Sequence, residues 1–524
     1  MSDRVYIYDT TLRDGAQTEG ISFSAEDKME ILLNLDEFGI DFVEGGMPPS
    51  NPKDAEFFRS ADKTNPKNAK LVSFGSTCKP DLMASEDPNI IMLSECPAKW
   101  TCIFGKAWDF HVKKALCTTL EENLRMIEDS ISYLRTSGKH VIFDAEHFFD
   151  GYKANPKYSM EVLSAAVKGG AEWIVLCDTN GGSIPSFIGS TTRKVTDTID
   201  VPVGIHCHND SELAVACSLA AVENGARMVQ GTINGLGERC GNANLCSVIP
   251  DLMLKMNYSI PSIDLSKLTL MSKFVSETAN TGLLSSQPYV GDRAFAHKGG
   301  MHVSAMSKDT KTYEHVEPGT VGNKRKILIS DMSGRASVTE KLREMNIAVD
   351  RDESRKIADH IKNMEAEGYQ YEGADASFQL LVKRLTNNHE RPFNITGFRL
   401  FIDDIGNNKL SSEASVKVID RFGNEEHTAS DGDGPVNALD NALRKALSKF
   451  YPVLNNIKLS DYKVRVLDEK AATAAPVRVL IRSTDGKDSW STVGVSTNVI
   501  EASMIALSDS IEYAILKDEK NRGV

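Results

Sequence analysis

A chain of 524 residues with 41% hydrophobic and 25% charged side chains is too long for one hydrophobic core, and at ~150 residues per domain it predicts about three. Its 73 acidic against 60 basic residues, a net charge of −13, exclude a chain built to track nucleic-acid phosphates and favour small-molecule chemistry in solution. No apolar run is long enough to span a bilayer, MSDRVYIYDTT lacks a leader pattern, and nine scattered cysteines without a CxxC pair read as reduced thiols; a cytoplasmic protein with no membrane partner is expected.

Eight β-rich runs follow in chain order: VYIYD (5–9), DFVEGG (41–46), KLVSFGS (70–76), WTCIFG (100–105), HVIFDAE (140–146), EWIVLCDT (172–179), VPVGIHCH (201–208) and RMVQGTING (227–235). Segments with helical periodicity lie between most of them, such as 24–39, 120–138 and 211–226. Ser24 with Asp27 three residues on is a helix-start signal, and Gly39, Gly138 and Gly225 stand where helices stop. This alternation over residues 1–275 predicts an α/β fold, a (β/α)8 TIM barrel. A doubly wound open sheet is the rival, but no GxGxxG follows the first strand.

Residues 276–370 read as a helical linker region, with HKGGMHV (297–303), the basic loop GNKRKI (322–327) and helices within 335–367. Residues 371–524 read as a C-terminal α+β domain. Strands are predicted at SFQLLVKRL (377–385), FNITGFRLFID (393–403) and ASVKVIDRFG (414–423), then a helix at 434–450, strands at YKVRVLDE (462–469) and VRVLIRSTDG (477–486), and a helix near 499–517. That unit has no paired carboxylates or histidine cluster, which suits binding better than catalysis.

A TIM barrel builds its site at the C-terminal ends of its strands. Strand 1 brings Asp9, Thr10, Thr11, Arg13 and Asp14 there, strand 5 Glu146, strand 6 Asp178 and Thr179, strand 7 His206 and His208, and the loop after strand 8 Glu238, Arg239 and Asn242. Histidines two apart on a strand share a face, as two imidazoles gripping one metal must, although HxH alone is weak evidence. Asp14 and Asn242, from neighbouring strands 1 and 8, would complete a set of two nitrogens and two oxygens for Mg, Mn or Zn. Glu238 sits beside that set, and Glu44 before Gly45 is a supporting or a purely structural carboxylate with equal weight.

DTTLRDG (9–15), GIHCHND (204–210) and GLGERCGNANL (235–245) together resemble the DRE-TIM metallolyase superfamily, in its condensing branch of 2-isopropylmalate, homocitrate and citramalate synthases. NPKDAEFF (51–58), FGKAWDFHV (104–112) and AFAHKGGMHVSA (294–305) most resemble the members that take pyruvate, and GDGPVNALDNAL (432–443) with VGVSTNVIEAS (493–503) resembles the family's regulatory domain. The resemblance implies condensation of acetyl-CoA with pyruvate and hydrolysis of the thioester. Asp14, His206, His208 and Asn242 would hold the metal, Arg13 would face the developing enolate, and Thr179 would hold the 2-oxo acid carboxylate. Glu146, His302 and Tyr313 would be the proton-transfer groups. It further implies a homodimer inhibited by isoleucine. Asp144, at a substrate-side position, replaces a tyrosine of some relatives, while Met47 and Pro49 replace the usual Trp and Gly. The open alternatives are a 2-isopropylmalate synthase using 2-oxoisovalerate, a lyase running the reverse cleavage, which lacks its catalytic-cysteine loop here, and a non-catalytic metabolite sensor.

Overall fold

The computed structural model describes residues 4–48, 50–64, 66–328, 335–345, 347, 350–386, 389–404, 410–467 and 473–522. Pro49 and the last residues of YKVRVLDE lie outside the described residues. The chain divides into two compact units, Met1–Phe295 with Val316–Arg325, and Ala296–His315 with Lys326–Val524.

In the first unit eight parallel strands close into a barrel: β1 (Tyr6–Asp9), β2 (Phe42–Gly46), β3 (Lys70–Ser76), β4 (Trp100–Lys106), β5 (His140–Glu146), β6 (Trp173–Asp178), β7 (Val203–Cys207) and β8 (Met228–Gly231), with β1 pairing β8. Strand alternation sorts the side chains into two layers. Tyr8, Phe42, Val72, Cys102, Ile142, Val175 and Met228 fill the barrel, while Val5, Ile7, Val43, Ile103, Phe143 and Ile174 pack outward under the helices. Edge-on pairs, Tyr6 with Trp173 at 5.4 Å and Phe42 with Trp100 at 5.1 Å, occupy the interior.

The predicted punctuation is present. Ser24 and Asp27 form a reciprocal capping box at the start of the helix Ala25–Phe38, which ends on Gly39 at φ +102°. A Cβ there would lie 1.9 Å from the Ser262 carbonyl oxygen, so glycine is required for space as well as conformation. Asp9 closes β1 by accepting from the amide and hydroxyl of Thr11, each at 2.9 Å, and the Thr11 hydroxyl in turn accepts from the Ile233 amide at 2.9 Å. The exits of β1 and β8 are thereby tied together. Burial pushes the Asp9 carboxyl up to about 7 against the opposing pull of the Thr11 donors.

The second unit contains a short parallel pair, β9 (Ala296–His297) with β10 (Lys326–Ile327), and the helices Gly300–Met306, Arg335–Glu344 and Arg351–Ala366. A tail of two similar halves follows. Three antiparallel strands, β11 (Phe393–Asp404), β12 (Leu410–Asp420) and β13 (Glu425–Gly432), precede the helix Pro435–Leu447; three more, β14 (Lys458–Val466), β15 (Val477–Thr484) and β16 (Ser489–Ser496), precede the helix Val499–Arg522. SFQLLVKRL is not the predicted strand but belongs to the helix Asp375–Leu385. Its apolar residues Phe378, Leu381, Val382 and Leu385 fall at helical spacing, and the contiguous Leu380, Leu381 and Val382 hide that period. Arg384 on this helix donates to Asp509 at 2.7 Å and to Glu512 at 2.8 Å, binding it to the C-terminal helix.

Candidate metal centre

Asp14 and the two histidines predicted from the HxH motif converge at the barrel's C-terminal rim. His206 is the last residue but one of β7 and His208 lies just beyond the strand, bridged to Asn242. Asp14 Oδ2 is 3.4 Å from His206 Nε2 and 3.6 Å from His208 Nε2, and one donor atom from each of the three lies within 4.8 Å of the others. Burial raises the Asp14 carboxyl, but Arg13 and the two imidazoles outweigh it and hold it well below the ordinary range. Burial lowers His206, and Asp14 more than reverses this.

Asn242 supplies the test of whether these residues suit a cation. Its Nδ2 donates to the Leu236 carbonyl at 3.1 Å, which fixes the amide so that Oδ1 is the open end. Among the described residues that Oδ1 is buried without a hydrogen-bond partner, as is His208 Nδ1. An orphaned buried oxygen is costly unless something electropositive meets it. Gly237 makes the placement possible: with φ +156°, any Cβ there would come within 2.2 Å of Asn242 Nδ2. Two imidazole nitrogens, a carboxylate and an amide oxygen form a donor set suited to a divalent ion.

Around this set lies a cavity of about 240 Å³. Arg13, Asp14, Asp144, Glu146, Thr179, His206, His208 and Glu238 line its polar side, and Met47, Phe74 and Phe104 its apolar side. Arg13 stacks 3.8 Å above the Phe74 ring, approaches Asp14 at 3.6 Å and donates Nε to Glu44 Oε1. Glu44 is fully buried and also accepts from Tyr8 Oη at 2.5 Å and Thr10 Oγ1 at 2.7 Å, so its contacts go to the arginine rather than to the Asp14 cluster. Thr179 Oγ1 accepts from the His147 amide at 2.8 Å, which leaves its own proton free to donate. Glu238 is exposed.

Two contributors were not anticipated. Lys106, the last residue of β4, donates to Glu146 Oε2; inspecting the end of strand 4 as the other strand ends were inspected would have found it. Gln230, inside β8, bonds both His206 and Asp144, and no motif marks it. His302 and Tyr313 belong to the second unit, where their rings stack with centroids 4.0 Å apart.

Residues 4–275 match the HMGL-like family model, 289–369 the homocitrate synthase post-HMGL domain-like model, and 372–515 the LeuA allosteric (dimerisation) domain. The chain is 56% identical to the (R)-citramalate synthase of Aquifex aeolicus and 52% identical to that of Geobacter sulfurreducens, each over 99% of both chains. It is 32% identical to the 2-isopropylmalate synthase of Methanocaldococcus jannaschii, over 99% of this chain and 96% of that one. With end-to-end identity of this order on top of the barrel and its rim, the chain belongs to the (R)-citramalate synthase family.

Proposed function

We propose that this enzyme condenses acetyl-CoA with pyruvate and hydrolyses the resulting thioester, releasing (R)-citramalate and CoA in the cytoplasm. The observation that carries the reading is the Asp14, His206 and His208 cluster with Arg13 beside it in one cavity at the barrel rim. A divalent ion held by these three residues and Asn242 would supply Lewis-acid polarisation of the 2-oxo group.

The protein's own groups divide the remaining work. Thr179, with its hydroxyl proton unspent, donates to the pyruvate carboxylate, and Asp144 borders the same space. Glu146 has one oxygen held by Lys106 and offers the other to the acetyl methyl, taking that proton to give the enolate. The enolate carbon bonds to the keto carbon of pyruvate as the C=O pair moves onto oxygen, and the proton passes to that oxygen to make the hydroxyl. Arg13, kept cationic by Glu44 and Asp14 against the cost of burial, faces the negative charge that develops on the enolate oxygen. His302 and Tyr313, whose rings stack on each other, are assigned to proton transfer by the family resemblance. Water then cleaves the thioester, its hydroxyl going to the carbonyl carbon and its proton to the CoA thiolate.

The apolar wall of Met47, Phe74 and Phe104 favours a small 2-oxo acid. A thiol-release assay over a panel of 2-oxo acids should give pyruvate a kcat/KM at least tenfold above that of 2-oxoisovalerate, since each extra methylene that fails to fit costs about 1–3 kcal/mol. The reverse order would make this a 2-isopropylmalate synthase.

For the tail we propose a homodimer in which isoleucine favours the less active arrangement by ~1–3 kcal/mol. The match to an allosteric dimerisation model and the two similar halves of the tail support this. Full-length enzyme should lose at least half its initial rate at saturating isoleucine and sediment as a dimer; a rate indifferent to isoleucine overturns the regulatory assignment.

A further inference from the structure

We propose that Gln230 and Asp144 act as positioning residues that set the tautomer and aim of His206 as a metal ligand. This rests on the assignment of His206 to the metal set. Gln230 Nε2 donates to Asp144 Oδ1 at 3.0 Å, and Gln230 Oε1 lies 2.8 Å from His206 Nδ1. Gln230 is fully buried and the other two are 4% exposed, so water does not compete for these atoms.

The polarity of the chain follows from one fixed end. An ionised carboxylate can only accept, so the amide must turn its NH2 towards Asp144. Its oxygen then faces His206, and the imidazole must carry its proton on Nδ1 to satisfy that oxygen. The lone pair is thereby left on Nε2, the nitrogen that lies 3.4 Å from Asp14. Strand register supports the arrangement: Gln230 on β8 sits directly beside His206 on β7, and Asp144 comes from β5. His208 is the internal contrast. Its Nδ1 is buried without a partner among the described residues, so of the two imidazoles His206 alone is steered from behind by them.

Removing the amide would free His206 to place its proton on Nε2, where it would donate to Asp14 and block the ligand position. Partners of this kind hold ring orientation and ligand basicity, and losing one typically weakens metal binding 10–100-fold. The experiment uses the full-length chain at pH 8, above the value of about 6 to which burial raises Asp144. Mn2+ affinity is measured against a competing chelator, and the His206 ring nitrogens are assigned by 15N NMR in the metal-free protein. Gln230→Leu and the near-isosteric Asp144→Asn should each weaken Mn2+ binding at least tenfold and shift the His206 proton towards Nε2. Gln230→Glu combined with Asp144→Asn, which keeps an acceptor opposite Nδ1 and lets the new amide donate back to residue 230, should restore affinity to within a few-fold. Unchanged affinity and tautomer in folded Asp144→Asn and Gln230→Leu would overturn the proposal. His206→Ala is the separate control: if it too leaves Mn2+ affinity unchanged, the metal assignment has failed rather than the positioning pair.

Discussion

His208→Ala and Asp14→Asn should each lower citramalate formation by at least ~10³-fold while leaving the barrel folded. A ligand set that polarises a carbonyl contributes several kcal/mol to the transition state, and each 1.36 kcal/mol is tenfold in rate. His208 has little structural work to lose: Nδ1 has no partner and Nε2 makes only a 3.6 Å approach to Asp14. Its removal should therefore change thermal stability by less than ~1 kcal/mol. Bound metal, CoA release and thermal unfolding measured on the same preparations make the check. Near-native turnover in either variant would remove these residues from the metal set.

Arg13→Ala should fail in two ways at once. The cavity loses the cation placed for the developing oxyanion, worth about 10²–10³ in kcat. Glu44, fully buried, loses its counter-charge and keeps only Tyr8 and Thr10, an imbalance that typically costs about 3–5 kcal/mol. Arg13→Lys should recover part of the stability and little of the rate, because an ammonium cannot reach Glu44 and Asp14 together while stacking on Phe74. Adding Glu44→Gln to Arg13→Ala separates the two losses: stability should return by at least 2 kcal/mol with no gain in turnover. If Arg13→Ala keeps a tenth of wild-type kcat, the arginine is a structural counter-ion and not part of the catalytic machinery.

Most of the barrel was legible because each of its strands is an apolar run bounded by polar loops, and because caps such as Ser24 and Gly39 act through local chemistry. The rim residues were legible for the same reason: a strand end in a barrel has only one place to go. Strand β13 was missed because EEHTASDG carries no apolar residue beyond one alanine. Its pairing with β12 rests on backbone bonds that no side-chain pattern announces. Strand β16, SWSTVGVS, was equally hidden by serine and threonine, although Trp490 and Val493 are buried. Gln230 escaped because its importance lies in two atoms of other strands, His206 Nδ1 and Asp144 Oδ1, which sequence separation does not reveal. Lys106 escaped only because its strand end was not inspected.

The helix Asp375–Leu385 has one more implication. Within the second unit, its Phe378, Leu381 and Val382 share a core cluster with Val338, Leu342, Ile357 and Ile361 of the preceding helices and with Val493 of β16. The edge between the post-HMGL and allosteric matches, at residues 369 and 372, therefore passes through packed side chains and not through a linker. Amide exchange should protect the helices around 357 and 378 to a common level, as one cooperative opening unit. Proteases should find no early nick between them, and a chain shortened to residue 370 would carry a bare apolar face into solution and aggregate. What resembles a detachable sensor in the linear sequence is, to an unfolding chain, continuous with the two helices that precede it.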